Sequence, residues 1–169
     1  AEELKYYRFS NRMYLKDSVV IKRDDCKIMP KSDVEVDCEL NRVFVKEGFI
    51  MDSDDLEASA NYMVIYIDDD YAEVSGNVKI SRKVEACADV PGYDQRELSL
   101  RAEPAYLVCD SLTHTRKDGN DEVTAFGHIK IVQGSKTMKA DNGYYNKNEK
   151  YFKIWDNVEF ESESLNWLV

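Results

Sequence analysis

The chain has 169 residues, with 23 Lys+Arg against 33 Asp+Glu and a formal net charge of −10. An acidic chain with no basic run is a poor partner for a phosphate backbone, which excludes nucleic-acid binding. Hydrophobic residues make up 43% of the chain, enough for one folded domain spanning 1–169, and no apolar run approaches the roughly 20 residues of a helical membrane span.

Taken in chain order, Ala1–Ser10 is the one candidate for a short helix. The chain begins without Met or an apolar signal segment, so it reads either as a chain from which a targeting or anchoring segment has been removed or as one cut for expression. From there one pattern recurs five times, in Met13–Ile21, Val43–Met51, Ala72–Ile80, Val123–Ile131 and Phe152–Phe160. The centres are Asp17, Glu47, Gly76, Gly127 and Asp156, at spacings of 30, 29, 51 and 29 residues. Two and four residues either side of each centre, every position is apolar: Met13, Leu15, Val19, Ile21; Val43, Val45, Phe49, Met51; Ala72, Val74, Val78, Ile80; Val123, Ala125, Ile129, Ile131; Phe152, Ile154, Val158, Phe160. Alternation with period two is the signature of a strand with one buried face. The centre shares the parity of the apolar positions yet is Gly, Asp or Glu. A carboxylate in an apolar layer is costly, so a bend or bulge is expected at each centre, making each unit a long strand creased in the middle.

Between these units lies a second strand type: Val34–Leu40, Leu56–Tyr62, Leu100–Tyr106 and Met138–Tyr144, with Ala58, Ala102 and Ala140 at matched sites where another backbone or sheet comes close. Asp68–Asp70, Lys117–Asp121 and Asn146–Lys150 read as turns. The longest spacing holds an insertion at about 83–96, with Pro91-Gly92 as its turn, and Leu165–Val169 adds an alternating tail that either caps its own edge or receives another protomer. Stacked creased strands with one apolar face imply two sheets facing each other across an apolar slot, each rung buried against its neighbours.

Cys26, Cys38, Cys87 and Cys109 allow three disulfide connectivities. Sequence proximity suggests Cys26 with Cys38 and Cys87 with Cys109. No C-x-x-C spacing accompanies His114 and His128, so no metal site is expected. Asp52–Asp55 and Asp68–Asp70 do not match a calcium loop and read as solvated turns. Asp110, Ser111 and His114 crowd into one stretch without the spacing of a triad, and there is no phosphate loop or dinucleotide fingerprint, so no catalytic residue, no cofactor and no enzymatic activity are expected. Tyr6, Tyr7, Tyr144, Tyr145, Trp155 and Trp167 are candidates for an aromatic rim.

The units Val74-Ser-Gly-Asn-Val-Lys-Ile80, with Leu56-Glu-Ala-Ser-Ala60 before it, and Ala125-Phe-Gly-His-Ile-Lys-Ile131, followed by Met138-Lys-Ala-Asp-Asn-Gly-Tyr-Tyr145, resemble the OstA-like repeat of the LptA–LptC superfamily of periplasmic lipopolysaccharide-transport proteins. The resemblance covers about residues 12–162. It implies an all-β folded β-jellyroll, or β-taco, in which antiparallel creased strands enclose an apolar slot. It further implies a non-enzymatic periplasmic carrier or bridge, soluble or anchored to the inner membrane by a removed N-terminal segment. Lipopolysaccharide acyl chains would lie against Leu15, Val19, Ile21, Val43, Val45, Phe49, Met51, Val74, Val78, Ile80, Ile129, Ile131, Ile154, Val158 and Phe160. The partners implied are lipopolysaccharide or a related glycolipid, and Lpt-type β-jellyroll proteins or a second copy joined edge to edge. Asp17, Glu47 and Asp156 depart from the family's Gly at the crease, as do the four cysteines and the insertion. The competing reading from the residues alone is a structural or adhesive β-repeat protein with a closed, dry core.

Overall fold

Each apolar alternation forms a strand, and each centre interrupts one. The computed structural model describes residues 1–23, 26–83, 103–117, 119–149 and 151–162. Among them the strands are β1 (Glu3–Tyr7), β2 (Arg12–Lys16), β3 (Ile21–Arg23), β4 (Cys26–Pro30), β5 (Val34–Asp37), β6 (Arg42–Val45), β7 (Phe49–Asp52), β8 (Leu56–Ala60), β9 (Tyr62–Tyr66), β10 (Tyr71–Arg82), β11 (Ala105–Lys117), β12 (Asn120–Gln133), β13 (Lys136–Asn146), β14 (Tyr151–Trp155) and β15 (Glu159–Ser162). All pair antiparallel in one sheet folded along a spine. One arm runs β1-β2-β5-β6-β9 into the first half of β10 and ends at β14. The other runs β3-β4-β7-β8 into the second half of β10 and ends at β15. The long strands β10 to β13 cross the spine and belong to both arms.

The spine is built from left-handed residues. Asp17 and Ser18, Gly76 and Asn77, Gly127 and His128, and Asp156 and Asn157 have positive φ in consecutive pairs. Two such residues in a row reverse the pleat, so the centre's side chain leaves the apolar layer while its neighbours stay in it. The register slips at these points, between Ser75 and Val78, between Val108 and Ser111, and between Phe126 and Ile129. The expected crease is therefore present, with one displacement: in the second unit Gly48, rather than Glu47, takes the left-handed turn, at φ 95°. Backbone bonds stitch the crease across strands, from Lys31 N–H to Gly48 O, Asn61 N–H to Gly76 O and Asp141 N–H to Asp156 O, each at 2.9 Å.

Three expectations are corrected. Ala1–Ser10 is not a helix: Glu3–Tyr7 pairs with β2 from Glu3↔Lys16 to Tyr7↔Arg12, because its aromatic alternation finds a ready strand edge. Leu56–Tyr62 is not one strand but two, broken at Asn61, whose N–H serves the crease at Gly76. Val34–Leu40 stops at Asp37, where Oδ1 accepts the N–H groups of Glu39 and Leu40 at 3.0 Å and turns the chain. Asn146 does the same for Asn148 and Glu149.

The suggested disulfides are not formed, since Cys38 and Cys109 are free thiols. The crease between β4 and β5 places Cys26 on one arm, packed against the core, and Cys38 just past the end of β5 on the other. Cys109 is buried where β11 crosses the spine, and burial pushes its thiol pKa up to about 11. Cys87, Leu100, Ala102, Pro91-Gly92, Trp167 and the Leu165–Val169 tail lie outside the described residues.

The crease makes a quantitative prediction. Gly127 and Gly119 both have positive φ, but a Cβ on Gly127 would sit 3.0 Å or less from three Asp110 atoms, whereas one on Gly119 would meet nothing within 4 Å. Gly119→Ala should cost about 1 kcal/mol from backbone conformation alone, and Gly127→Ala about 2–3 kcal/mol. Urea unfolding of both, with Asp110→Ala added to Gly127→Ala to recover the steric part, measures the difference.

Candidate functional site: an apolar slot between two arms

Cross-strand partners share a face of the sheet, so registers convert into rows of side chains. On the first arm one inward row reads Leu4, Leu15, Val34, Val45, Met63, Val74, Leu112, Ala125, Gly143, Ile154. A second, nearer the mouth, reads Tyr6, Met13, Val36, Val43, Ile65, Ala72, His114, Val123, Tyr145, Phe152. The second arm contributes Ile21, Ile28, Met51, Ala58, Ile80, Leu107, Ile131, Met138, Phe160. Both arms thus turn continuous apolar rows toward one interior.

Burial falls with distance from the crease. Beside the spine, Val19, Phe49, Val78 and Ile129 on one arm and Val45 and Val74 on the other are buried. Leu15, Ile21, Val43, Met51, Ile80 and Ile131 pack against this core but are only partly covered. The floor of the V is filled and its walls remain accessible. The predicted residues from the first four repeat units fall on this interior. The fifth behaves differently. Ile154 is half-buried, while Phe152, Val158 and Phe160 are 41%, 53% and 44% exposed, because no strand follows β14 or β15 among the described residues. The β14 and β15 rows are the last ones among the described residues.

Sequence reasoning missed Ile28, Val34, Met63, Cys109 and Leu112, all of which belong to the core. Their strands carry the alternation more weakly, and only Val34-Glu-Val36 stood out as a strand signal. Ala58 and Ala140 are buried, as matched small residues suggested. Gly143 is smaller still: a Cβ there would lie 3.2 Å from Ile129 Cδ1, so its absence lets Ile129 seat in the floor.

The polar candidates disperse. Ser111 and His114 differ in parity on β11 and face opposite sides of the sheet. Asp110 Oδ2 pairs with His128 Nδ1 across the crease at 2.7 Å, and His114 instead lies 3.4 Å from Asp121, which Arg116 also engages at 2.7 Å. Asp110, Ser111 and His114 form no triad. The aromatic set does not make one rim: Tyr144 and Trp155 face outward, and Tyr145 faces the slot.

A family described as "OstA-like protein" matches residues 89–166. No curated protein matches the chain. Among solved structures, the fold is similar to that of LptH from Pseudomonas aeruginosa, described as the LptA-homologous periplasmic component of the conserved lipopolysaccharide transport device. The TM-score is 0.60 at 9% identity, covering 82% of this chain and 95% of that one. The resemblance read from the repeat is thus matched both by an OstA-like stretch of sequence and by an LptA-type all-β fold.

Two outcomes follow from the site's geometry. Val78→Asp places a charge in the filled floor and should cost about 3 kcal/mol or more, whereas Val158→Asp should change stability by less than about 0.5 kcal/mol, both read from chemical denaturation. His128 has its pKa raised by the hydrogen bond it donates to Asp110 and then by that carboxylate's charge. A raised imidazole pKa contributes stability that is full below about pH 6.5 and is lost as pH rises through the folded-state value. The melting temperature of His128→Gln should fall below wild type in mildly acidic buffer and converge with it in alkaline buffer. The gap should be small, because both partners are largely exposed.

Proposed function

We propose that this chain is a non-enzymatic, periplasmic carrier segment of lipopolysaccharide export, holding acyl chains between its two arms. The observation that carries the reading is the burial gradient: continuous apolar rows that are packed at the spine, accessible toward the mouth and uncovered at the β14–β15 end. A protein that needed only a core would cover Phe152 and Val158. An aliphatic chain laid along the rows replaces water on surface that the fold itself leaves wet, at about 25 cal/mol per Å² of apolar area. The OstA-like match and the fold of LptH support the same assignment.

The strand edges that have no partner among the described residues support a bridging role. β1 and β3 end the arms on one side, and β14 and β15 end them on the other. A second β-jellyroll protein, or a second copy, can pair on such edges through backbone hydrogen bonds, and its rows would then continue this slot. The closed-core reading retains one observation in its favour, the complete burial of Val34 and Val45.

Photocrosslinking separates the two readings. A photoreactive residue at Ile80, Val123 or Ile131 should capture lipopolysaccharide, while one at Lys79 or Lys130, on the outer face, should not. Equal capture from both faces, or none from the inner one, would return the closed core. For the edges, wild type should form concentration-dependent oligomers by light scattering. Glu159→Pro, which puts a rigid ring into the edge strand β15, should abolish them in a variant that circular dichroism shows to be folded.

A further inference from the structure

The outer face of the first arm carries a second feature, on the far side of the sheet from the slot. Where β10 to β13 cross the spine as continuous strands, the earlier rungs are broken by short gaps between β2 and β3, β4 and β5, and β6 and β7. There the crease widens into a cleft of about 600 Å³, lined by Tyr14, Ser18, Lys31, Glu35, Lys46 and Glu47 among others. That volume falls within the range of small-molecule sites.

The cleft is prearranged at its base. The Glu35 side chain is 8% exposed, and its two oxygens engage Arg12 and Lys46 separately. A carboxylate this buried is stable only because both cations meet it, and the same contacts fix the Lys46 ammonium at the cleft wall. Tyr14, on the neighbouring strand, is set by the Tyr7 ring, which meets it edge to face at 5.6 Å and 90°. Asp17 and Ser18 hold left-handed backbone without glycine, which keeps side chains at a rim where Gly76 and Gly127 leave none.

We propose that this cleft binds a saccharide. Its inventory is that of a polyol site: an oriented aromatic ring for a sugar face, fixed ammonium and hydroxyl donors, and the Asp17 and Glu47 carboxylates as acceptors. The carboxylates outnumber the lysines among the lining residues, which disfavours a phosphate or sulfate. Glu35 is a positioning residue for Lys46. The polar lining of Tyr14, Glu35 and Lys46 lies on the face opposite the slot rows, and the cleft meets the slot's floor only at Val19.

The test presents the full chain to an array of neutral and amine-bearing oligosaccharides, with delipidated lipopolysaccharide as a separate arm. The two arms distinguish a free glycan from the sugar of a glycolipid. At least one saccharide should be retained. Tyr14→Ala and Lys46→Met should each weaken it about tenfold, and Tyr14→Phe should not. Circular dichroism confirms that each variant is folded. Retention of no saccharide in either arm, or retention unchanged by Tyr14→Ala, overturns the proposal.

Discussion

The backbone reversal at the spine is the constraint on which everything else depends. A strand alternates its side chains strictly, so a centre lying midway between two inward positions four residues apart, such as Val74 and Val78, would itself enter the apolar layer unless the backbone is reversed there. The left-handed pairs at Asp17-Ser18, Gly76-Asn77, Gly127-His128 and Asp156-Asn157 do this. Without them the centre residues would project into the apolar layer between the two halves. The reversal also exports the centre residue, which explains why Asp and Gly are interchangeable there while the positions on either side are all apolar.

The spine is not uniform. Over β10 to β13 it is a column of bulges inside continuous strands, tied by Asp110 to His128 and by Asp141 and Asn142 to Asn157 and Asp156. Over β2 to β7 it is a series of gaps, and the structure relies more on charge, with Glu35 buried between Arg12 and Lys46. The first arrangement holds the arms in a common register and buries Val78, Cys109 and Ile129 beside it. The second opens the outer face into a cleft. One repeat therefore produces a lipid-like interior along its length and a polar recess at one end, because a bulge and a gap use the same sequence position with different strand continuity.

A folded sheet that is not closed leaves free edges. Phe152 and Phe160 stand on the inward rows of the last rungs and are partly exposed, and Leu4 and Tyr6 do the same at the opposite end. Isolated apolar side chains on a surface are ordinary, but here they terminate rows that run through the whole core. An interior that ends in the open is suited to being prolonged by another surface of the same kind, which links the incomplete core to the proposed bridging role.

The period of about 29 residues, the alternation around each centre and the charge-bearing centres themselves sufficed to determine the all-β class, the crease and most of the slot's inner face. Those signals are local: alternation and backbone reversal are encoded within nine residues, and they survive as a pattern whatever the neighbours do. Which rows are buried and which stay wet was not local. Val158 and Val78 occupy equivalent places in their units, yet one is exposed and the other enclosed, because one rung has neighbours on both sides and the other is last. The fate of Ala1–Ser10 was decided the same way, by a vacant edge on β2 that made a strand of a segment able to read as a helix. Cys26 and Cys38, twelve residues apart, were separated by a fold between the arms that their spacing could not reveal. His128 found Asp110, eighteen residues away, only because register places two creases side by side. Pairing, edges and the order of rungs belong to the tertiary structure, since each depends on which strand lies next to which.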